Sequence, residues 1–203
     1  MPWDWRGNPV SVLVETILSQ NTSSTNSHAG YRKLWKHFRS WNKVADAPAE
    51  EVARCIRISG LSNLKAPRIQ AILRQIRQEH GRISLDHLGS MPMADARRYL
   101  LGFSGIGPKT ANCVLLFSQL HAVFPVDTHI HRIAIRLGWL EARTTAEQAH
   151  DLLEPAIVPA DRYEMHVLLI THGRKTCKAR NPACERCRLL SRCPLGRLRA
   201  GRA

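Results

Sequence analysis

The sequence predicts an all-α fold, and three observations carry that expectation. Apolar residues recur at intervals of three and four along most of the 203 positions, the period of a helix with one buried face. Gly and Pro cluster between these stretches and cut the chain into segments of helical length. No stretch alternates apolar and polar residues as a half-buried strand does. With 44% hydrophobic and 23% charged residues, the chain can bury a core, which excludes a disordered protein.

In chain order, Val10, Leu13, Val14, Ile17 and Leu18 share one helical face after Asn8-Pro9. Tyr31, Leu34, Trp35 and Phe38 repeat the pattern. After breaks at Ala47-Pro48 and Ser59-Gly60, Ile69, Ile72, Leu73 and Ile76 repeat it again. Gly81 and Met91-Pro92 end that stretch. Three further helices centre on Val114, Ile133 and Val167, the first preceded by Gly105-Ile106-Gly107-Pro108 and the last by Val158-Pro159. Short helices joined by short loops make an all-α globule. Cys55, Cys113 and the tryptophans read as core side chains. Apolar runs such as Val114-Leu115-Leu116-Phe117 are too short to cross a bilayer. The opening Met1-Pro2-Trp3-Asp4-Trp5-Arg6 lacks the pattern of an export signal. A cytoplasmic protein with no membrane association is expected.

Charge narrows the partner. Thirty Lys and Arg against sixteen Asp and Glu leave a formal +14, and positions 174–203 hold ten basic residues and one acidic. A globule so unbalanced repels itself unless it meets a polyanion, and nucleic acid is the expected one.

Three motifs carry chemistry. In the segment 100–111, Gly105 and Gly107 admit backbone conformations that a Cβ would block, and Pro108 suits the first turn of a helix. Such a turn aims amide N–H groups and the positive end of a helix dipole outward, a seat for phosphate. Lys109 follows at once. An amine held there and shielded from water has its cationic form disfavoured, which makes it a candidate nucleophile. Eighteen residues on, Asp127 lies within Val126-Asp127-Thr128-His129 and can cap the helix that follows. Capping and catalysis are compatible, because a capping carboxylate is held in place. Finally Cys177, Cys184, Cys187 and Cys193 put four thiols within seventeen positions. In a cytosolic chain that means a metal centre rather than disulfides, and the spacing alone leaves zinc and [4Fe-4S] both open.

Gly-Ile-Gly-Pro-Lys-Thr-Ala, then Val-Asp-Thr-His, then the four cysteines, in that order, resembles the helix-hairpin-helix DNA glycosylases of the endonuclease III type, from about Pro9 to Cys193. The resemblance implies two helical lobes with a DNA-binding cleft between them. One would span 9–125 and include the hairpin at about 98–120. The other would comprise 126–203 with residues 1–8, and carry a [4Fe-4S] loop at 177–193 and a basic tail. The partner implied is double-stranded DNA containing a damaged base or abasic site, bound by a monomer. A base must leave the stack before its glycosidic bond can be reached. Lys109 would attack the sugar and form a Schiff base, Asp127 would stabilise the positive charge on the departing sugar and take a proton, and β-elimination would cut the strand. Oxidised pyrimidines are the implied substrates. A glycosylase for thymine or uracil opposite guanine, or a non-catalytic iron–sulfur DNA-binding protein of the same fold, are the alternatives.

The resemblance also assigns DNA contacts. Gln20 or Asn21 would plug the gap left by the flipped nucleotide, depending on a one-residue choice of alignment. Leu61 would be a second wedge, with Ser62 where a tyrosine is usual. Lys65 would touch backbone phosphate or stand in solvent. Gly105 and Gly107 would meet the DNA backbone, His129 would lie near the active site, and Lys178 and Arg180 would contact phosphates. His131, one partner of a His-x-His pair with no third ligand, reads as surface. Two departures stand out. Phe103-Ser104 replaces the usual leucine-proline, which predicts a less stiff turn. A helix of about twenty residues that the family places ahead of Pro9 is largely absent, so either that lobe is trimmed or the chain starts later than the natural one.

Overall fold

A computed structural model describes residues 7–118 and 120–201. Among them are eleven α-helices, short 3-10 turns and no strand. No described helix is long and apolar enough to cross a membrane. The chain divides into two compact units, Met1–His121 and Ala122–Ala203.

The first unit is built around α1 (Pro9–Ser19). Asn8 starts it by accepting from the Ser11 N–H at 2.9 Å, with Pro9 in the first turn. The periodicity predicted one buried face, yet every residue from Pro9 to Leu18 is buried. Three neighbours account for this: α2 (Ser24–Phe38), α5 (Ser62–His80) and α7 (Pro108–Phe117) all pack on it. A polar residue enclosed on every side needs an internal partner. Thr16 accordingly donates to the Val12 carbonyl at 2.7 Å, and Glu15 accepts from Ser27 at 3.1 Å.

Helix α2 buries Tyr31, Leu34 and Phe38 and ends at Arg39 in the left-handed conformation. Trp35 is half-buried, its ring 5.0 Å from that of buried Trp41 in α3 (Trp41–Asp46). Helix α4 (Ala49–Ile56) packs on both α2 and α5. Helix α5 buries Ile69, Ile72, Leu73 and Ile76 as their spacing requires, and stops at Gly81, whose φ of +71° supplies the left-handed cap. Its Gln70 and Arg74 donate to carbonyls at the end of α3. Helix α6 (Met93–Leu101) then leads through a turn into α7. Cys55 and Cys113 are both buried, as expected.

The second unit packs α8 (Thr128–Arg136), α9 (Ala146–Leu153) and α10 (Arg162–Lys175) around Phe124, Val126, Ile130, Ile133, Leu153 and Leu169, with α11 (Pro194–Ala200) beyond the cysteine loop. The expected boundary after residue 125 moves to His121. The reason is the segment 123–126, which is buried and tied into the second unit. Phe124 N–H donates to Glu154 at 2.9 Å, Val126 N–H to His150 at 3.3 Å, and His166 donates to the Pro125 carbonyl at 2.9 Å. Residues 1–6, expected in the second lobe, lie outside the described residues. Asn8 serves the first unit. Trp139 is 50% exposed and departs from the core expectation for tryptophan.

Candidate active site and nucleic-acid interface

Helices α6 and α7 form the expected hairpin. Phe103 and Ile106 are buried, and the Ile106 N–H closes the turn onto the Phe103 carbonyl at 3.1 Å. Phe103, which stands where the resemblance places a leucine, packs its ring 5.2 Å from that of Tyr99. Gly105 has φ +77°, a backbone conformation that favours glycine, and a Cβ there would come within 2.5 Å of the Arg68 guanidinium carbon and displace it. Gly107 corrects its expectation. Its φ is −99°, open to any residue, and a Cβ there would meet nothing within 4 Å. What Gly107 leaves is an unobstructed helix start. Lys109 occupies the second position of α7, half-buried, and no side chain caps this helix. No capping side chain therefore competes with an anion for the first-turn amides of α7.

Two loops of the same unit hold the expected wedge residues. Gln20 donates to the Gly105 carbonyl at 3.2 Å and to the Thr110 hydroxyl at 3.4 Å, and accepts from Arg68 at 3.3 Å. Asn21, next to it, is exposed with φ +54°. Leu61 likewise has positive φ, +50°, and is 51% exposed at the start of α5. A bulky residue in that conformation costs free energy that the fold must offset. Lys65 is a correction. Its side chain is 2% exposed, and its amine donates to the carbonyls of Leu18 and Ser59, both at 2.8 Å. Burial lowers its pKa. Its burial keeps it from both bulk water and a backbone phosphate, and the two carbonyls satisfy two of its three donors.

Asp127 caps α8 as expected, its Oδ1 accepting from the N–H groups of His129 and Ile130, each at 2.9 Å. The cap fixes the carboxylate and uses one of its two oxygens. His129 is half-buried beside Gly173 of α10, where a Cβ would sit 2.8 Å from the histidine Cβ. Its Nδ1 pairs with Arg132 at 3.1 Å. His131 is half-buried rather than free at the surface, held to the Thr144 carbonyl at 2.8 Å.

All four motif cysteines line one cavity, together with Ile133, Leu137, Leu190 and Leu195. Backbone N–H groups of Leu189 and Gly196 point at Cys187 and Cys193 Sγ at 3.4 and 3.3 Å, and Arg136 lies 3.2 Å from Cys177 Sγ. Among the described residues no three of His, Cys, Asp or Glu converge tightly enough for a single ion. Lys178 and Arg180 are exposed, while the carbonyls of Lys178 and Ala179 accept from Arg136 at 2.8 and 3.0 Å.

Residues 14–158 match the HhH-GPD superfamily base excision DNA repair protein family. The chain belongs to this family. It is 35% identical to the endonuclease III of Thermotoga maritima over 193 residues, covering 95% of this chain and 85% of that one. It is 32% identical over 188 residues to the endonuclease III of Sulfolobus acidocaldarius, covering 92% and 82%. The DNA glycosylase/AP lyase ROS1 of Arabidopsis thaliana is 35% identical over 170 residues, covering 75% of this chain and 12% of that protein. Another Arabidopsis relative, a candidate DNA glycosylase, is 35% identical over 187 residues, and the chain spans 64% of its length. A non-covalent endonuclease III–DNA complex superposes with a TM-score of 0.81 at 28% identity, covering 96% of this chain and 86% of that one. A trapped covalent intermediate of endonuclease III with DNA gives 0.83 at 28%, covering 95% and 86%.

Within this HhH-GPD chain, reasoning from sequence missed the arginines. Arg132 donates to the carbonyls of Gly173 and Cys177, at 3.1 and 2.8 Å, besides pairing with His129. Arg136, one turn on, reaches the cysteine loop. Two arginines four apart on the helix headed by Asp127 were the available signal, since such a pair shares one face. Arg68 offered a weaker one, three residues past Lys65 on α5.

Proposed function

We propose that this protein is a DNA glycosylase with AP lyase activity that removes oxidised pyrimidines from duplex DNA, acting as a cytoplasmic monomer. The observation that carries the reading is Lys109 in the uncapped first turn of the hairpin's second helix, in a chain of the HhH-GPD family. Relatives named as endonuclease III and as a DNA glycosylase/AP lyase support it.

The chemistry follows from the residue types. Lys109 attacks the anomeric carbon of the extruded nucleotide, and the base leaves with the electron pair of the glycosidic bond. Asp127 stabilises the positive charge that develops on the sugar and accepts a proton from the lysine ammonium. Ring opening gives a Schiff base between Lys109 and the sugar. The iminium acidifies the neighbouring C2′, whose proton is lost as the 3′ phosphate departs, so the strand breaks on that side. Water then releases Lys109. The first-turn amides of α7 would hold a backbone phosphate during this sequence.

The four cysteines fit a [4Fe-4S] cluster. They ring one apolar-walled cavity with N–H donors on three of their sulfurs, surroundings that suit such a cluster. Cys177, Cys184, Cys187 and Cys193 would hold it. When bound it would supply rigidity to the basic loop, whose positive charge comes from its own Lys178 and Arg180.

The test is borohydride reduction in the presence of a duplex with one abasic site. A covalent adduct that disappears in Lys109→Ala supports the reading, and no adduct from folded, iron-loaded protein overturns it. Duplexes with thymine glycol, dihydrouracil or a G·T mismatch report base choice, and release of thymine alone from G·T would replace oxidised pyrimidines as the substrate class. Iron content and visible absorption test the cluster, which a colourless, zinc-loaded protein would refute.

A further inference from the structure

We propose that Lys65 and Arg68 form a clamp on α5 that positions the two wedge loops and the hairpin of the first unit as one surface for entering duplex DNA. The inference rests on the reading above, and it gives roles to two cations that make no contact with the reacting atoms.

The Lys65 amine is bonded to Leu18 and Ser59 carbonyls. Leu18 stands two residues before Gln20, and Ser59 two residues before Leu61. One buried donor thus fixes the spacing between the loop bearing Gln20 and Asn21 and the loop bearing Leu61. An amine this deep is costly to bury unless its hydrogen bonds are made, so the arrangement resists sliding of either loop. Three residues along the same helix, Arg68 does the equivalent for the hairpin. It donates to the Gln20 side-chain oxygen, and its guanidinium lies where a Cβ on Gly105 would come within 2.5 Å, so a side chain there would push it aside. Gln20 in turn donates to Gly105 and Thr110, which flank Lys109 in sequence.

This division of labour settles which polar residue faces the duplex. Gln20 is occupied by three contacts within the protein and serves as a positioning residue. Asn21, exposed and lifted by its left-handed backbone, is the one presented to the gap. Leu61, flanked by Ile58 at 52% and Leu64 at 63% exposure, presents the apolar counterpart. A wedge acts only on paired, stacked strands. Losing the clamp should therefore weaken duplex recognition and leave single-strand recognition largely intact, whereas losing a phosphate contact would weaken both alike.

The experiment compares binding of the iron-loaded 203-residue chain to an oligonucleotide carrying one tetrahydrofuran abasic analogue, as duplex and as single strand. Arg68→Met is the main variant because Arg68 is only half-buried, and thermal denaturation confirms its fold. We expect the duplex-over-single-strand affinity ratio to fall about tenfold, equivalent to about 1.4 kcal/mol. Arg68→Lys, which keeps the charge but not the fork, should fall with it. Gln20→Ala combined with Arg68→Met should be no worse than the worse single variant, because both break one linkage. An unchanged ratio, full rescue by lysine, additive effects, or a wild-type protein without duplex preference would each overturn the clamp. The analogue cannot form a Schiff base, so this outcome is independent of whether Lys109 traps.

Discussion

Glu15 shows how one side chain can tilt the stability of a whole unit. Burial pushes its carboxyl from the usual 4.5 up to about 7, opposed only in part by the Ser27 hydrogen bond, and its Oε2 is buried with no partner. The folded pKa lies above the unfolded one, so the native state holds the proton more tightly. Stability from this group is fully present below about pH 4.5 and is lost as pH rises through 7, by about 3 kcal/mol in all. Urea unfolding from pH 5 to 8 should show Glu15→Gln losing this slope and exceeding wild type at pH 8 by about 1–2 kcal/mol, the amide carrying a desolvation cost of its own. A parallel pair of pH curves would refute the assignment. Gly173 gives a second expectation. Gly173→Ala places a methyl 2.8 Å from the His129 Cβ between α8 and α10. That overpacking should cost about 1–3 kcal/mol and lower the melting temperature by several degrees.

Helix starts divide the candidate chemistry between two elements. Helix α7 opens without a side-chain cap and α8 opens on the Asp127 carboxylate, so one terminus is left for an anion and the other holds an acid still. Asp127→Asn keeps the Oδ1 acceptor and should change stability by less than about 0.5 kcal/mol, while Asp127→Ala should lose about 1 kcal/mol. Both should abolish abasic-site cleavage. An active Asn variant would show that Asp127 serves only as a cap. Periodicity made most of these elements legible, because a helix with one wet face writes its burial into the spacing, as α2 and α5 do. It understated α1, where enclosure by three helices buries residues that the spacing assigned to the outside. The hairpin and both catalytic candidates were legible because glycine, proline and capping rules act over a few adjacent residues. Lys65 was not. A lysine that satisfies carbonyls 47 and 6 residues away has the same local sequence as one in water, and the same holds for Arg68 and Arg132.

Across the molecule, the +14 charge concentrates in 174–203, the region of the cysteine loop and α11. Affinity for undamaged duplex should accordingly fall steeply with salt, by about a hundredfold or more between 50 and 200 mM. A flat profile in a filter-binding or anisotropy titration would show that these charges do not meet phosphate. A last consequence follows from the enclosure of α1. The amides in the middle of that buried run lie away from solvent, so deuterium should enter them at the rate of global opening. The mostly exposed α11 should fill within the earliest time points. Labelling kinetics along α1 therefore measure the free energy of that whole unit, and any ligand that slows them must be binding its intact form.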